Sequence, residues 1–219
     1  MMVNGVDQIG PADEAEAAFE SRARHRLEVT PESGFPEIQA WRRAYATMGL
    51  KPTQYRSASE ALLRRFRTSG ALPKLHPLVN LCNAASLAFA VPIAVYDRAQ
   101  TTHDLQVREA DGTEPYLAFS GETERPDAGE VIFADSDGRA HARRWAHKQS
   151  LQSVVKPETQ AALIVAEALH ETALADITAL VSELGQAIQA AGGQLRETAL
   201  LPAPEAQWDS DEGGAGHVG

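Results

Sequence analysis

The chain has 219 residues, 43% of them hydrophobic and 23% charged, a composition typical of one globular domain or two small ones. Its single cysteine, Cys82, excludes an internal disulfide and a cysteine-based zinc site, which fits a reducing, cytoplasmic setting. The net charge of −10 at first argues against nucleic acid as a partner. The most apolar stretch, Leu78–Val95, is interrupted by polar residues and proline, so no membrane span is predicted.

Two segments are strongly basic although the chain as a whole is acidic. From Trp41 to Lys74 there are eight Lys or Arg residues and one acid, and from Arg139 to Lys156 there are five and none. These segments carry +7 and +5, so the remaining residues sum to −22. Because the local field steers a polyanion, both segments are candidate RNA-contacting surfaces. Solvated helix faces and arginines that flank the core would explain the same pattern equally well.

The two ends of the chain are predicted to be tails. Residues 1–18 are acidic and rich in alanine without a clear period, and we expect a flexible acidic tail there. Residues 201–219 have the composition of a disordered acidic tail. A single domain is therefore expected over residues 19–200.

Two helices are predicted in the first basic segment and just before it. Pro36–Met48 has proline in its first turn and is followed by Gly49 as a stop signal. Ser57 and Glu60 have the spacing of a capping box, and the helix that they open ends at Gly70.

A third helix is predicted over His76–Ala90, where apolar residues recur at helical spacing. Asn80, Asn83 and Ser86 follow each other at intervals of three and share another face of this helix. Polar residues on an otherwise apolar helix either line a pocket or bond to neighbouring backbone. The sequence leaves both interpretations open.

Short strands and a second helical region complete the prediction. The predicted strands are Pro92–Asp97, Asp104–Arg108, Tyr116–Phe119, Glu130–Ala134 and Arg139–Trp145. Leu151–Val155 is a further candidate strand, and Pro157 opens a long helical region that ends at Gly192. Helices, then strands, then helices indicate an α+β (mixed α/β) fold. No glycine-rich nucleotide motif is present, and neither a cofactor nor a metal is predicted.

Six segments, taken in order, resemble free-standing proteins of the B3/B4 family. The same domain is the tRNA-editing module of the phenylalanyl-tRNA synthetase β subunit. The segments are Phe35–Ile38, Tyr55–Arg65, His76–Asn83, Pro92–Asp97, Gly129–Phe133 and Arg143–Ser150. The resemblance extends over about residues 35–180, and the ordered set is more specific than any single segment. It implies a mixed α/β domain with a pocket for the aminoacyl-adenosine end of a tRNA.

Two positions depart from the family pattern. Ala94 stands where the synthetase module carries a histidine, and Asn80 stands where family members usually have aspartate. The synthetase mechanism and its amino-acid specificity are therefore not transferred to this chain.

Hydrolysis of an aminoacyl ester needs a positioned water, a stabilised oxyanion and a contact with the α-ammonium group. The candidate catalytic residues are Asn83, which can orient water or ribose, and Glu114 or Glu130, which can hold the ammonium or act as a base. The predicted substrate-binding residues are Asn80, Ser86, Tyr96, Arg108, Arg144, Trp145, Lys148 and Gln149. The predicted RNA-binding residues are Arg56, Arg64, Arg65 and Arg143.

Two functions are compatible with these residues. The first is a trans-acting deacylase that hydrolyses mischarged aminoacyl-tRNA, which the polar helix face and both basic segments favour. The second is a non-catalytic binder of tRNA or of an amino-acid-derived ligand, which the missing imidazole at Ala94 favours. The expected partner in either case is tRNA, and the sequence predicts no oligomeric state.

Overall fold

The computed structural model describes residues 1–201, and its five α-helices and ten strands confirm the predicted α+β class. The helices are α1 (Asp13–Val29), α2 (Pro36–Thr47), α3 (Ala58–Ser69), α4 (Pro77–Phe89) and α5 (Ala173–Ala190). Among the described residues, no helix combines the length and the apolar character needed to cross a membrane.

The ten strands form two four-stranded antiparallel sheets and one hairpin. They are β1 (Met2–Asn4), β2 (Ile93–Asp97), β3 (Leu105–Glu109), β4 (Tyr116–Leu117), β5 (Thr123–Glu124), β6 (Val131–Asp135), β7 (Ala140–Arg143), β8 (Lys148–Gln149), β9 (Ala161–Ala166) and β10 (Gln194–Glu197). The first sheet has the order β10-β1-β9-β2 and the second β3-β6-β7-β8. Strands β4 and β5 form the hairpin.

The first sheet has two different faces because side chains alternate along each strand. Val95 of β2 and Ile164 of β9 are register partners, and both belong to the main core beneath α1, α4 and α5. Their neighbours Tyr96 and Leu163, also partners, lie in a second cluster with Phe133 of the other sheet. The space between the two sheets is therefore lined by alternate residues of β2 and β9.

The helix caps follow the local sequence. The Ser57 hydroxyl accepts from the Glu60 amide at 3.3 Å, and Gly70 closes α3 in the left-handed conformation with φ of 77°. The Glu60 side chain pairs with Arg42 of α2, so it does not complete the predicted capping box. Glu60 thus contributes its amide to the N-terminal cap of α3 and its carboxylate to the ion pair that joins α3 to α2.

The prediction of a flexible tail over residues 1–18 is wrong. Strand β1 lies between β10 and β9 in the first sheet, and Val3 within it is fully buried. Helix α1 begins at Asp13 and packs along α4. This segment is ordered because it is buried against strands that are distant in sequence. The local residue pattern does not reveal such contacts. Apart from Leu201, the predicted tail over residues 201–219 lies outside the described residues.

The prediction of one long helical region after Pro157 is also wrong for the first half of that region. Ala161–Ala166 is a strand, paired with β1 on one side and β2 on the other. A continuous apolar run does not distinguish a buried strand from a helix, and here the neighbouring strands decide. The candidate strand Leu151–Val155 is instead a 3-10 turn over Leu151–Ser153.

Candidate ligand pocket between the two sheets

A cavity of about 70 Å³ lies between the two four-stranded sheets. Its floor is formed by the buried side chains of Tyr96, Phe133 and Ala142. Ala94 and Val165, which are paired on adjacent strands, line one wall. The partly buried and exposed residues that surround the mouth are Ala58, Ala146, His147 and Lys148. We call this cavity the inter-sheet pocket.

Glu167 follows β9 directly and lines the pocket. Trp145 Nε1 donates to both of its carboxylate oxygens, at 2.9 and 3.0 Å. Burial raises the pKa of Glu167 to about 7, although the hydrogen bond from Trp145 opposes the shift. The pocket therefore contains a carboxyl group that titrates near neutral pH, a property often found at functional sites. No sequence motif had marked this residue.

His147 at the mouth is held in one tautomer by its backbone contact. Its Nδ1 lies 2.7 Å from the carbonyl oxygen of Arg56. A carbonyl only accepts, so Nδ1 carries the proton of the neutral ring and Nε2 bears a free lone pair. Burial lowers the pKa of His147, and the nearby charges of Lys148 and Arg144 act in the same direction. The imidazole is therefore neutral at physiological pH.

An unusual turn brings Trp145 to the pocket. Arg144 and Trp145 are consecutive non-glycine residues with positive φ, of 47° and 59°. This conformation costs roughly 1–2 kcal/mol per residue and persists only where the surroundings enforce it. Here the Arg144 amide donates to Glu130 at 3.0 Å, and the Trp145 amide donates to the Val131 carbonyl at 2.7 Å.

A profile of the B3/4 domain matches residues 40–183, which are 144 of the 219 residues. The chain belongs to the B3/4 domain family. The family expected from the six sequence segments is thereby confirmed, and all residues that line the inter-sheet pocket lie within the match. Strands β1 and β10, which complete the first sheet, lie outside it.

A search of curated proteins gives no match to this B3/4 chain. Among solved structures, it is similar to an N-terminal fragment of the phenylalanyl-tRNA synthetase β subunit from Pyrococcus horikoshii. The TM-score is 0.44 and the sequence identity 13%, over 54% of this chain and 40% of that one. The chain thus spans less than half the length of that fragment.

Four of the predicted substrate-binding residues line the pocket of this B3/4 domain: Tyr96, Trp145, Lys148 and Gln149. The Gln149 amide donates to the Val95 carbonyl at 2.8 Å and so joins β8 to β2 across the two sheets. Lys148 is exposed at the mouth. The structure thus brings together the predicted residues that lie on β2 and around β8.

The polar face of α4 lies elsewhere. The Asn80 side chain accepts from the Leu75 amide at 2.7 Å, and the Ser86 hydroxyl donates to the Val91 carbonyl at 2.6 Å. Both therefore bond to neighbouring backbone, one of the two interpretations that the sequence left open. Asn83 is partly buried on the same helix and does not line the inter-sheet pocket.

Glu114 stabilises a turn and also lies outside the pocket. Its carboxylate accepts from the amides of Asp111 and Gly112, both at 3.1 Å, and pairs with Arg108 at 2.5 Å. Burial by itself raises its pKa, but these hydrogen bonds outweigh it and lower the pKa to about 2. Glu114 and Arg108 therefore hold the β3–β4 connection, in place of the predicted catalytic and substrate-binding roles.

Glu130 and Arg143 form a buried ion pair. Arg143 donates to the two Glu130 oxygens at 2.9 and 2.8 Å, and also to Glu124 at 2.7 Å. The side chain of Arg143 is only 9% exposed. This contradicts its predicted role in RNA binding, because a buried and paired guanidinium has no access to a phosphate. Glu130 likewise does not reach the pocket.

The other predicted RNA-binding residues lie at the surface. Arg64 and Arg65 are exposed on α3, whose first residue, Ala58, lines the pocket mouth. Arg56 is adjacent to that helix and partly exposed. Arg144, which was predicted to bind substrate, does not line the pocket and instead stacks over the Tyr55 ring with 4.6 Å between the guanidinium carbon and the ring centroid. A basic surface therefore runs from the mouth along α3.

One group of potential metal ligands lies outside the pocket, formed by Glu37, His170 and Asp176. His170 Nε2 is 2.7 Å from an Asp176 oxygen, and Arg26 binds both oxygens of Glu37 at 2.7 and 2.8 Å. Ligands that share an ion at about 2.0–2.2 Å would lie further apart than 2.7 Å. These contacts are those of two hydrogen-bonded pairs, in which Arg26 joins α1 to α2 and His170 binds Asp176 of α5.

Proposed function

We propose that this B3/4 protein is a trans-acting aminoacyl-tRNA deacylase, which hydrolyses the ester between a mischarged amino acid and the 3′ end of a tRNA. The observation that carries the proposal is the neutral imidazole of His147, which lies at the mouth of the inter-sheet pocket and has an unprotonated Nε2. Nε2 has no hydrogen-bond partner within residues 1–201. A positioned imidazole with a lone pair is the usual general base for ester hydrolysis near pH 7.

In the proposed reaction, His147 Nε2 takes a proton from a water molecule as its oxygen attacks the ester carbonyl. The developing oxyanion lies near Lys148 and near the N-terminus of α3, both of which carry positive charge at the mouth. Collapse of the tetrahedral intermediate breaks the bond to the ribose oxygen, which receives the proton from His147. The products are the free amino acid and the uncharged tRNA.

The basic surface supports binding of the RNA strand that leads to this mouth. Arg56 and Lys148 lie beside the entrance, and Arg64 and Arg65 extend away from it along α3. The acidic charge of the remaining chain does not cancel this local field, because exposed charges separated by more than about 10 Å are screened by salt. The mouth is thus where the 3′-terminal phosphates would lie.

The proposal is tested by incubating the purified protein with tRNAs charged with a panel of amino acids and following release of the amino acid. We expect turnover of at least one ester. The variant Ala94→Leu fills the pocket and should lose that turnover, while its affinity for uncharged tRNA should be unchanged. Glu171→Leu, at an exposed position beyond the pocket, provides the control. Absence of turnover on every ester would contradict the enzyme function.

A second candidate function is non-catalytic binding of charged tRNA. The observation in its favour is Ala94 in the pocket wall, where the resemblance places a histidine in the synthetase module. Salt-sensitive binding of charged tRNA without hydrolysis, reduced by Ala94→Leu, would support this function over the deacylase.

A further inference from the structure

The hydroxyl of Tyr96 on the pocket floor is a buried polar group without a partner. The residue is fully buried, and its oxygen has no hydrogen-bond partner in the part of the chain that the structure describes. A buried hydroxyl left unpaired is unfavourable, because it has lost its hydrogen bonds to water without replacing them. Such a group on the floor of a pocket is the arrangement expected where a bound molecule supplies the missing partner.

Glu167 is the second polar group in the same pocket. Tyr96 lies on the face of the first sheet that also contains Leu163 and Val165, and Glu167 follows these two residues at the same alternation. Burial raises the pKa of Tyr96, and the nearby charge of Glu167 adds to the effect. A phenol that can donate and a carboxyl that can accept therefore line the same pocket.

The remaining walls are apolar and leave little room. They are formed by Ile93, Ala94, Phe133, Ala142 and Val165. The cavity measures about 70 Å³, whereas an engineered apolar cavity that holds one benzene molecule measures about 150 Å³. The pocket therefore favours a small side chain over an aromatic ring.

We propose that the inter-sheet pocket selects aminoacyl groups with a small hydroxyl-bearing side chain, of the serine and threonine class. The side-chain hydroxyl accepts a hydrogen bond from Tyr96 and donates one to Glu167, and the small apolar walls contact its methyl or methylene group. This inference rests on the proposed deacylase function and adds the class of amino acid that the pocket admits.

Threonine and valine provide the sharpest test, because their side chains have nearly the same shape and differ in the hydroxyl. We expect the protein to hydrolyse threonyl and seryl esters of one tRNA at least about 10-fold faster than valyl and alanyl esters, because valine leaves the Tyr96 hydroxyl unpaired. Phenylalanyl and tyrosyl esters of the same tRNA should be poor substrates.

Tyr96→Phe removes only the hydroxyl and should bring the ratio of threonyl to valyl rates close to one. Because that hydroxyl has no partner among residues 1–201, the variant should fold, which urea denaturation verifies. Tyr45→Phe is the matched control: its hydroxyl is also buried and has no partner in the described part of the chain, but the residue does not line the pocket. The control should keep the wild-type ratio.

Each other result has a defined consequence. Preferred hydrolysis of tyrosyl or phenylalanyl esters would overturn the inference and leave the deacylase function standing. Without any turnover, binding of non-hydrolysable 3′-amide adenosine analogues decides: tighter binding of the threonyl than of the valyl analogue would support the pocket's selectivity and contradict hydrolysis. Equal binding without turnover would overturn both.

Discussion

Trp145 and Glu167 connect the two sheets at the mouth of the inter-sheet pocket, because the indole Nε1 lies 2.9 and 3.0 Å from the two carboxylate oxygens. Trp145 lies in the turn between β7 and β8, and Glu167 directly follows β9. The ring of Trp41 packs edge-on against Trp145 with 5.0 Å between the centroids, so α2 supports the same contact. The pocket wall therefore depends on three elements that are distant in sequence.

Glu167 should make the stability of the protein depend on pH. Its pKa is about 7 in the folded state against an ordinary 4.5, so the native protein holds more protons between these values. The free energy of unfolding that this residue contributes therefore falls as the pH rises from 4.5 to 7. Relative to wild type, Glu167→Gln should gain up to about 3 kcal/mol of stability between pH 5 and pH 8.

Urea denaturation of wild type and Glu167→Gln at both pH values measures this difference. Other titrating groups are common to the two proteins and cancel. Glu171→Gln, at an exposed position four residues further on, should follow wild type at both values. An equal stability difference between Glu167→Gln and wild type at pH 5 and pH 8 would show that the Glu167 carboxyl titrates normally.

His147→Gln should reduce kcat/KM for deacylation by about 10²–10⁴-fold, because an amide can replace the bond to Arg56 and cannot accept a proton from water. Affinity for uncharged tRNA should change little. His25→Gln, on the exposed surface of α1, should retain wild-type activity. Steady-state hydrolysis measures the effect on catalysis, and filter binding measures the effect on tRNA affinity. A His147→Gln variant with wild-type activity would contradict the general-base role.

Replacing Arg64 and Arg65 together by alanine should weaken tRNA binding through lost phosphate contacts. The slope of log affinity against log salt concentration should become less steep by about 2, or about one for each contact. Arg196→Ala, on the edge strand β10, should leave the slope unchanged. A wild-type slope in the double variant would place the RNA on another surface.

Arg143→Met should act on stability. It removes the close partner of the buried Glu130 carboxylate, which keeps, among the described residues, only the Arg144 amide at 3.0 Å and the Arg144 guanidinium at 3.8 Å. Loss of one member of a buried pair destabilises by about 3–5 kcal/mol. Arg22→Met is the matched control, because Arg22 pairs with Glu183 at the surface and should lose about 0–1 kcal/mol. Chemical denaturation measures both, and similar losses in the two variants would contradict the buried pair as a main support of the β7–β8 turn.

Local signals in the sequence were sufficient for most elements between Pro36 and Arg143, although the short strand β5 was not predicted. The Ser57 cap, the stop at Gly70 and the short apolar run in β2 each act within a few residues, so the predicted bounds of α2 to α4 and of β2 agree with the structure within about two residues. The ordered segments in this region also led to the correct family.

The sequence by itself thus determined α2 to α4, most of the strands that follow them and the family. Only the tertiary structure decided that Met2–Asn4 belongs to the first sheet, that Arg143 is internal while Arg64 is exposed, and that Glu167 and His147 belong to one pocket. The physical reason is that burial and pairing depend on residues far along the chain. The charge, pKa and accessibility of a side chain follow from those partners.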